Sequence, residues 1–419
     1  MCQHCALTCV ERTRADGLGS TVLAFAVFLS AHTLSIFYRS ALAVVVPEVS
    51  ADTGATLGDL GRASAAWFFV FALAQLPVGW ALDRFGPRRT LGYLLIIAAL
   101  GAFWFSAASA PWQLIASMGL VGLGCSAALM GAIFTFGRTL EPKTFAQRTS
   151  WLLGLSTLGG LLAATPLSSA VVVFGWRATF ATVGALTFIS AVLVLSIVRD
   201  PPRAVAAGGG GEVGFVQGLR SVVGLRALWP IFPIVMVSYA VVAAERGLWS
   251  GPYFSDVHGL GAIERGTAVL AMAIAMAVGA FFYGEFDRIT GRRKLLVIFG
   301  STVTALAFIA LGAFQTIGVV PAAMLLAVVG GAGFTYGLLL AHGRSFLPEH
   351  LLGRGLTLLN LGFISGAGIM QLVSGAAVSA WQAEKLPAVE VFGRLHLAFG
   401  VALLITTAIY LLARERPKA

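Results

Sequence analysis

The sequence predicts an all-α membrane protein built as two pseudo-symmetric bundles of six helices, twelve transmembrane helices in all. Three observations carry that prediction. The chain of 419 residues is 58% apolar and only 11% charged, with a mean hydropathy of +0.89, so its solvent is a bilayer and not water. Apolar stretches of about 20 residues, the length that crosses a hydrocarbon core, recur along its whole length. The loop that follows the second stretch returns 204 residues later, after the eighth. The same composition excludes a soluble enzyme and a disordered chain, because so many Leu, Val and Phe with so little charge cannot stay solvated as a coil.

In chain order, the first six spans fall at 21–46, 61–82, 91–109, 113–136, 150–173 and 178–198. The first is too long for a signal-peptide core and is followed by no small-residue cleavage site, so no cleaved leader is expected. The stretch Arg199 to Ala227 then breaks the pattern with Asp200, Pro201, Pro202 and the four glycines Gly208 to Gly211, and has little to bury. It reads as a linker, dividing a first bundle over 1–199 from a second over 228–419, with 200–227 between them. The last six spans fall at 228–247, 267–286, 295–314, 318–341, 356–380 and 395–413.

The 28 Lys and Arg and the net charge of +10 do not form a basic face of the kind that binds nucleic acid; they recur in small groups between spans. With both termini in the cytoplasm, the inner side collects most of them, among them Arg84, Arg88, Arg89, Arg138, Lys143, Arg148, Arg288, Arg292, Arg293 and Lys294. The outer side keeps Arg62, Arg177, Arg246, Arg265, Lys385 and Arg394, while Arg39 lies inside the first span. Four cysteines, three of them within the first nine residues, cannot brace a body of this size. Cys2, His4, Cys5 and Cys9 have metal-like spacing but no second pair to complete a zinc site.

Internal repetition supports the division. Asp83 to Arg89 reads DRFGPRR and Asp287 to Arg293 reads DRITGRR; Arg138 and Arg148 match Arg344 and Arg354, both 206 residues on. Parallel repeats of this kind place a solute site near the bilayer midplane, between halves that rock against each other.

These residues resemble the major facilitator superfamily of secondary transporters, and the similarity covers both halves. Its most specific mark is the loop motif Gly79, Asp83, Arg84, Gly86, Arg88 and Arg89, echoed by Asp287, Arg288, Gly291, Arg292 and Arg293. The resemblance implies a loop that helps lock the cytoplasmic face: Asp83 can pair with a basic helix end such as Arg138, and the arginines favour the negative end of a neighbouring helix dipole. Two departures narrow the branch. Where proton-coupled members often carry an arginine four residues before a glycine on the fourth helix, this chain has Met118 before Gly122; its fifth helix lacks the Gly-Pro pair common in drug antiporters, which lowers drug efflux in rank. The stretches GLGCSAALMGA and RGLWSGPYFSDVHG are similar to a bacterial branch that includes copper importers for cytochrome oxidase assembly. The marks of those importers are incomplete here: Met236 is followed by Ala240, and the eighth helix has Met272 and Met276 where a His-Met pair is expected.

The residues that carry chemistry start with Arg39. An arginine deep in an apolar helix costs about 2.5 to 3.5 kcal/mol on insertion scales, so it must face protein, water or a ligand. His32, Ser35 and Arg39 share one helix face by their spacing of three and seven. By an offset of 207, Arg39 falls on Arg246 and His32 on Tyr239, so the seventh span carries a matching stripe of Met236, Tyr239 and Arg246, with Glu245 beside it. The plainer alternative pairs Arg39 with Glu48 and Arg246 with Glu245 as structural ion pairs, or lets both arginines snorkel. Gln75, Asn360 and Gln371 add hydrogen-bonding groups inside spans, where interhelical packing is their plainer use. His258, His350 and His396 are expected in loops or near helix ends, with no carboxylate within reach by spacing.

Two substrate classes follow. The polar stripe suits a small polar organic solute, with an anion favoured by Arg39. Met118 with Cys125 and Met272 with Met276, joined by Met236, suit Cu(I) as cargo, although the same residues are ordinary core filler. Apart from copper as a substrate, no cofactor is expected. The expected setting is a bacterial inner membrane, where the protein acts as a monomer whose partners are its solute and the lipid bilayer.

Overall fold

The computed structural model describes residues 3–140, 142–201, 224–347 and 352–415. The side chains of residues 1–21, Asp83, Lys143, Arg288 and Arg354 lie outside this description, as do residues 202–223 of the linker. The expectations placed on Cys2, His4, Cys5 and Cys9, and on the pairing of Asp83, therefore fall outside it too.

The described residues form helices and no strands. Eleven helical segments are long and apolar enough to cross a membrane. We label them α1 (Val22–Thr53), α2 (Leu57–Gln75), α3 (Arg84–Ser106), α4 (Pro111–Thr139), α6 (Thr165–Ile197), α7 (Arg226–Asp256), α8 (Ala262–Asp287), α9 (Arg293–Ala313), α10 (Val319–Arg344), α11 (Leu358–Ala383) and α12 (Ala388–Tyr410), keeping α5 for the shorter helix Pro142–Ser156.

The expectation of one continuous fifth span over 150–173 is corrected. The chain climbs instead through α5, the single turn Leu158–Leu162 and the first part of α6. Two local features cause the breaks. Pro166 has no amide hydrogen to continue the ladder. Gly159 lies so close to α1 that a Cβ there would sit 2.1 Å from the Thr33 carbonyl, so the helix bends to let the backbones meet.

Two reversals in the first bundle are built alike. Phe85-Gly86-Pro87-Arg88 and Phe174-Gly175-Trp176-Arg177 share the pattern Phe-Gly-x-Arg, and both glycines take the same left-handed, extended conformation (φ 82°, ψ 165° and φ 77°, ψ 157°). A Cβ is disfavoured at such angles, and a second reason for glycine at 86 is the Asp200 carboxylate packed against it. In each case the arginine hooks a neighbouring helix by its last carbonyls. Arg88 Nε donates to Leu195 O at 2.5 Å, and Asp200 Oδ1 accepts from Arg88 N at 2.9 Å. Arg177 Nη1 donates to Ser106 O and Ala108 O at 3.0 and 2.7 Å, and its Nε to Asp52 Oδ2 at 2.9 Å. The two turns lie at opposite ends of the bundle, so the chain reverses at Gly175 as it does at Gly86.

The loop arginines after α2 and α8 mark one end of the molecule, the basic end. Arg148 lies over Phe25 there, and Lys294 Nζ donates to Leu411 O, which brings the start of α1 and the end of α12 to the same end. The two bundles meet most closely at the opposite end. Gly61 and Gly375 let α2 and α11 touch backbone to backbone, Gly251 packs against the Ala43 carbonyl between α7 and α1, and Gly266 packs on Ser168 between α8 and α6. Arg265 of α8 clamps this end by donating to Val44 O and Glu48 Oε1 of α1 at 3.0 and 2.5 Å. At the basic end, the bonds of Arg88 to Leu195 and of Arg293 to Asp287 each stay within one bundle.

Candidate functional site

The site is assembled where α1 and α7 face each other. Helix α1 runs unbroken through His32, Ser35 and Arg39, and its polar face turns inward: His32 and Ser35 are buried, with His32 Nδ1 and Ser35 Oγ lacking hydrogen-bond partners. The Arg39 guanidinium lies 5.0 Å from the ring centres of both Trp67 and Phe71, which stack on each other one helical turn apart on α2. Two aromatic faces hold a guanidinium by its charge without neutralising it. Arg39 Nε is buried and without a partner.

Helix α7 does not continue regularly through its own arginine. Residues Glu245–Trp249 form a π-helical turn, which takes in one residue more than a regular turn. Arg246 Nε is buried and unpartnered, its Nη1 lies beside Gly160, and it is within range of the Arg39 charge. Among the described residues neither arginine has a carboxylate partner. The structural pairs considered from the sequence are replaced by others: Glu48 pairs with Arg265, and Glu245 faces His396 at 3.4 Å.

The expectation that His396 lies in a loop or near a helix end, without a carboxylate in reach, is likewise corrected. It is fully buried on α12, and Glu245 on α7 is fully buried too. The separation of 151 residues hid the pair from any argument based on spacing.

Around the arginines stand groups of mixed kind. Tyr239 and Tyr336 pack with ring centres 5.8 Å apart, Phe363 closes against both, and Tyr336 Oη donates to Asn360 Oδ1 at 2.7 Å. Gln371 is fully buried with both amide atoms unpartnered, near Gly247. Gln75 is used locally: its Nε2 donates to Ser126 O, a carbonyl freed where α4 breaks between Cys125 and Ala128, and to Phe71 O. Trp67, Phe71 and Tyr336 were missed by the sequence reading. A signal existed for Tyr336, since Gly330, Gly331 and Gly333 precede it and α10 breaks at Phe334 and Thr335.

The sulfur residues are distributed through the core. Met118, Cys125, Met272 and Met276 are buried. Met272 and Met276 lay their side chains over Gly330, filling the contact between α8 and α10. Met236 is half-buried on α7, and its carbonyl packs against Gly366 of α11.

In the loop after α2, Arg84 lies over Trp80 and Phe85, and Arg138 lies 4.3 Å over Phe134. Gly86, Arg89, Arg138 and Asp200 line one cleft of about 190 Å³. Gly79 is exposed, with open space about its Cα. In the repeated loop, Asp287 holds Arg293 Nε at 3.0 Å, Gly291 caps α8 in the left-handed conformation, and Arg292 is exposed.

The fold compares with that of a bacterial homologue of the human lysosomal transporter Spinster, solved in an inward-facing, unoccupied conformation, with a TM-score of 0.77 over 94% of this chain and 97% of that one at 18% identity. The probable sulfoacetate transporter SauU of Cupriavidus necator is 26% identical over 166 residues, 39% of this chain and 38% of that protein. A chloramphenicol resistance protein of Streptomyces lividans is 28% identical over 260 residues, 61% of this chain and 64% of that protein. The chain thus matches less than two thirds of the length of either relative. The model of the Major Facilitator Superfamily matches residues 28–371, across both bundles and the whole of the Arg39 and Arg246 stripes. With its helical bundles and repeated loops, the chain belongs to the Major Facilitator Superfamily.

Proposed function

We propose that this chain is a secondary transporter of small organic anions, working as a monomer by alternating access in a bacterial inner membrane, with its basic end and both termini in the cytoplasm. The single observation behind the substrate class is the pair Arg39 and Arg246. Both are half-buried, each has a buried and unpartnered Nε, and neither has a carboxylate partner among the described residues. Two like charges so placed repel each other, and an anion bridging them relieves both costs at once. A planar guanidinium offers a fork to carboxylate or sulfonate oxygens. Sulfoacetate, the compound named for one relative, carries one of each group and so matches two arginines.

The orientation follows from the positive-inside bias. With the bundles joined at the end away from the basic loops, the site opens toward the cytoplasm. The division at 200–227 makes each bundle one moving body.

A second reading, export of a neutral aromatic compound, has the chloramphenicol resistance relative and the Trp67, Phe71, Tyr239 and Tyr336 lining in its favour. Copper import ranks below both, because Met272 and Met276 are occupied in packing.

The test is ligand-dependent stabilisation of the purified protein by sulfoacetate, benzoate, chloramphenicol and Cu(I). A ligand at one hundred times its Kd adds about 2.7 kcal/mol. Sulfoacetate is expected to stabilise the native protein; Arg39→Ala should abolish this while leaving folded protein, and Arg39→Lys should weaken it. Stabilisation by chloramphenicol or copper, with none by either anion, would overturn the proposal.

A further inference from the structure

Beside Arg246 on α7, but turned toward α12, begins a second group of ionisable side chains that the anion reading does not use. Glu245 and His396 are both fully buried, with Glu245 Oε2 and His396 Nε2 3.4 Å apart. All four of their polar side-chain atoms lack a hydrogen-bond partner. A carboxylate and an imidazole at that separation can share one proton, and burial without other partners gives them nothing else to bond. Glu245 opens the π-helical turn of α7, a distortion that exchanges regular hydrogen bonding for a particular placement of side chains.

The surroundings lead to one end. Tyr253 stands edge-on to His396 at 4.9 Å between ring centres and edge-on to His258 at 5.1 Å, and its buried hydroxyl is unpartnered. His258 is only half-buried, in the turn between α7 and α8 at the end opposite the basic loops. The other groups facing the pair are few. Helix α9 presents Phe308 and α12 adds Phe392; α11 presents Ser374, which accepts from Trp249, and the neutral Gln371. Among the described residues, the charges placed near Glu245 are Arg246, next to it on α7, and Arg39 on α1, whose carbonyl packs on Gly247.

We propose that Glu245 and His396 form a proton-binding site, loaded past His258 and Tyr253 from the end opposite the basic loops, whose proton travels with the transported anion. The loading step adds one proton from solvent to the Glu245 carboxylate, giving a carboxylic acid that donates to neutral His396 Nε2. Unloading returns that proton to solvent and restores the carboxylate. Coupling is electrostatic: Glu245 and Arg246 are consecutive on α7, so protonating Glu245 removes a negative charge close to the place where the anion binds, and the unprotonated carboxylate repels the anion. This coupling rests on the anion reading above, whereas the proton site itself does not.

The experiment has two arms. Infrared difference spectra of purified native protein, without substrate, should show the carbonyl band of a buried carboxylic acid that is lost as pH is raised, shifts in D2O and is missing from Glu245→Gln. His396→Gln should keep the band and move its midpoint by about one pH unit or more. If Glu245→Gln fails to fold, Glu245→Asp should shift the band's frequency instead. A native spectrum with no titrating carboxyl band, or a band unaffected by every variant, would overturn the proton site.

In liposomes, a pH gradient should drive sulfoacetate accumulation by native protein. Glu245→Gln should retain sulfoacetate exchange and lose the gradient-driven part. Gradient-driven accumulation by Glu245→Gln equal to that of native protein would overturn the coupling. A Glu245 band in a protein that moves no sulfoacetate would leave the proton site standing and overturn the anion reading.

Discussion

Replacing Arg265 with leucine should loosen the closed end of the molecule. Arg265 is a polar link between the bundles there, with hydrogen bonds to the Val44 carbonyl and to Glu48. Its side chain is 4% exposed and that of Glu48 is 27% exposed, which sets the pair between two limits. Exposed ion pairs contribute at most about 1 kcal/mol, while breaking a buried one costs about 3 to 5 kcal/mol. A loss of about 2 kcal/mol is therefore expected, and it applies only to the conformation in which α1 and α8 touch. At 1.4 kcal/mol per factor of ten, the ratio of closed to open at this end should fall about 30-fold. Spin labels at Ala51 and Ile263, exposed on the α1 and α8 sides of the clamp, report the distance across it. The native protein should give one short distance, and Arg265→Leu should add a longer one. Glu48→Gln should act in the same direction, and the double variant should add little to Arg265→Leu. Distance distributions identical in native and Arg265→Leu protein would show that the clamp does not hold this end, and the reasoning would fail.

Two further outcomes are expected. Gly251→Ala should destabilise the protein by about 1 to 3 kcal/mol, because a Cβ at 251 would lie 1.7 Å from the Ala43 carbonyl, a backbone atom that cannot swing aside; thermal melts alongside Gly154→Ala, where the added carbon meets open space, provide the control, and equal stability of the two would refute the close contact. Burial holds His258 below the usual imidazole range, so as pH falls through the ordinary histidine pKa the unfolded chain takes up a proton that the folded protein resists, and stability drops; His258→Phe should flatten melting temperature against pH on the acid side, and an unchanged slope would count against that burial.

The spans were legible because hydropathy over twenty residues averages out local detail. The fifth was not, since its path depends on Gly159 meeting the Thr33 carbonyl, a contact that no window along the chain reveals. Within the site, the stripe of His32, Ser35 and Arg39 could be read from helical spacing because its members share one helix. What Arg39 rests on could not be, as Trp67 and Phe71 come from α2 and look like any aromatic filler of an apolar span. Glu245 stood out as a carboxylate inside a span, but its partner His396 and the π-helical turn that presents it arise from packing between α7 and α12. The repeat offset predicted equivalence between Arg39 and Arg246, and it could not show that Arg39 sits in regular α-helix while Arg246 sits in a π-helical turn.

The hooks of Arg88 and Arg177 join helices through main-chain oxygens, those of Leu195, Ser106 and Ala108. Every residue type offers such an oxygen. A joint of this kind places a demand on the sequence at one side only: the arginine and its glycine turn must persist, while the helix end that receives them is free to drift so long as it stays helical. Mutational tolerance should therefore be lopsided across each joint, with few replacements accepted at Gly86, Arg88, Gly175 and Arg177 and many at the receiving positions. Two-residue covariation, which finds contacts by their joint changes, would pass over these main-chain links and register only the side-chain pairing of Arg177 with Asp52.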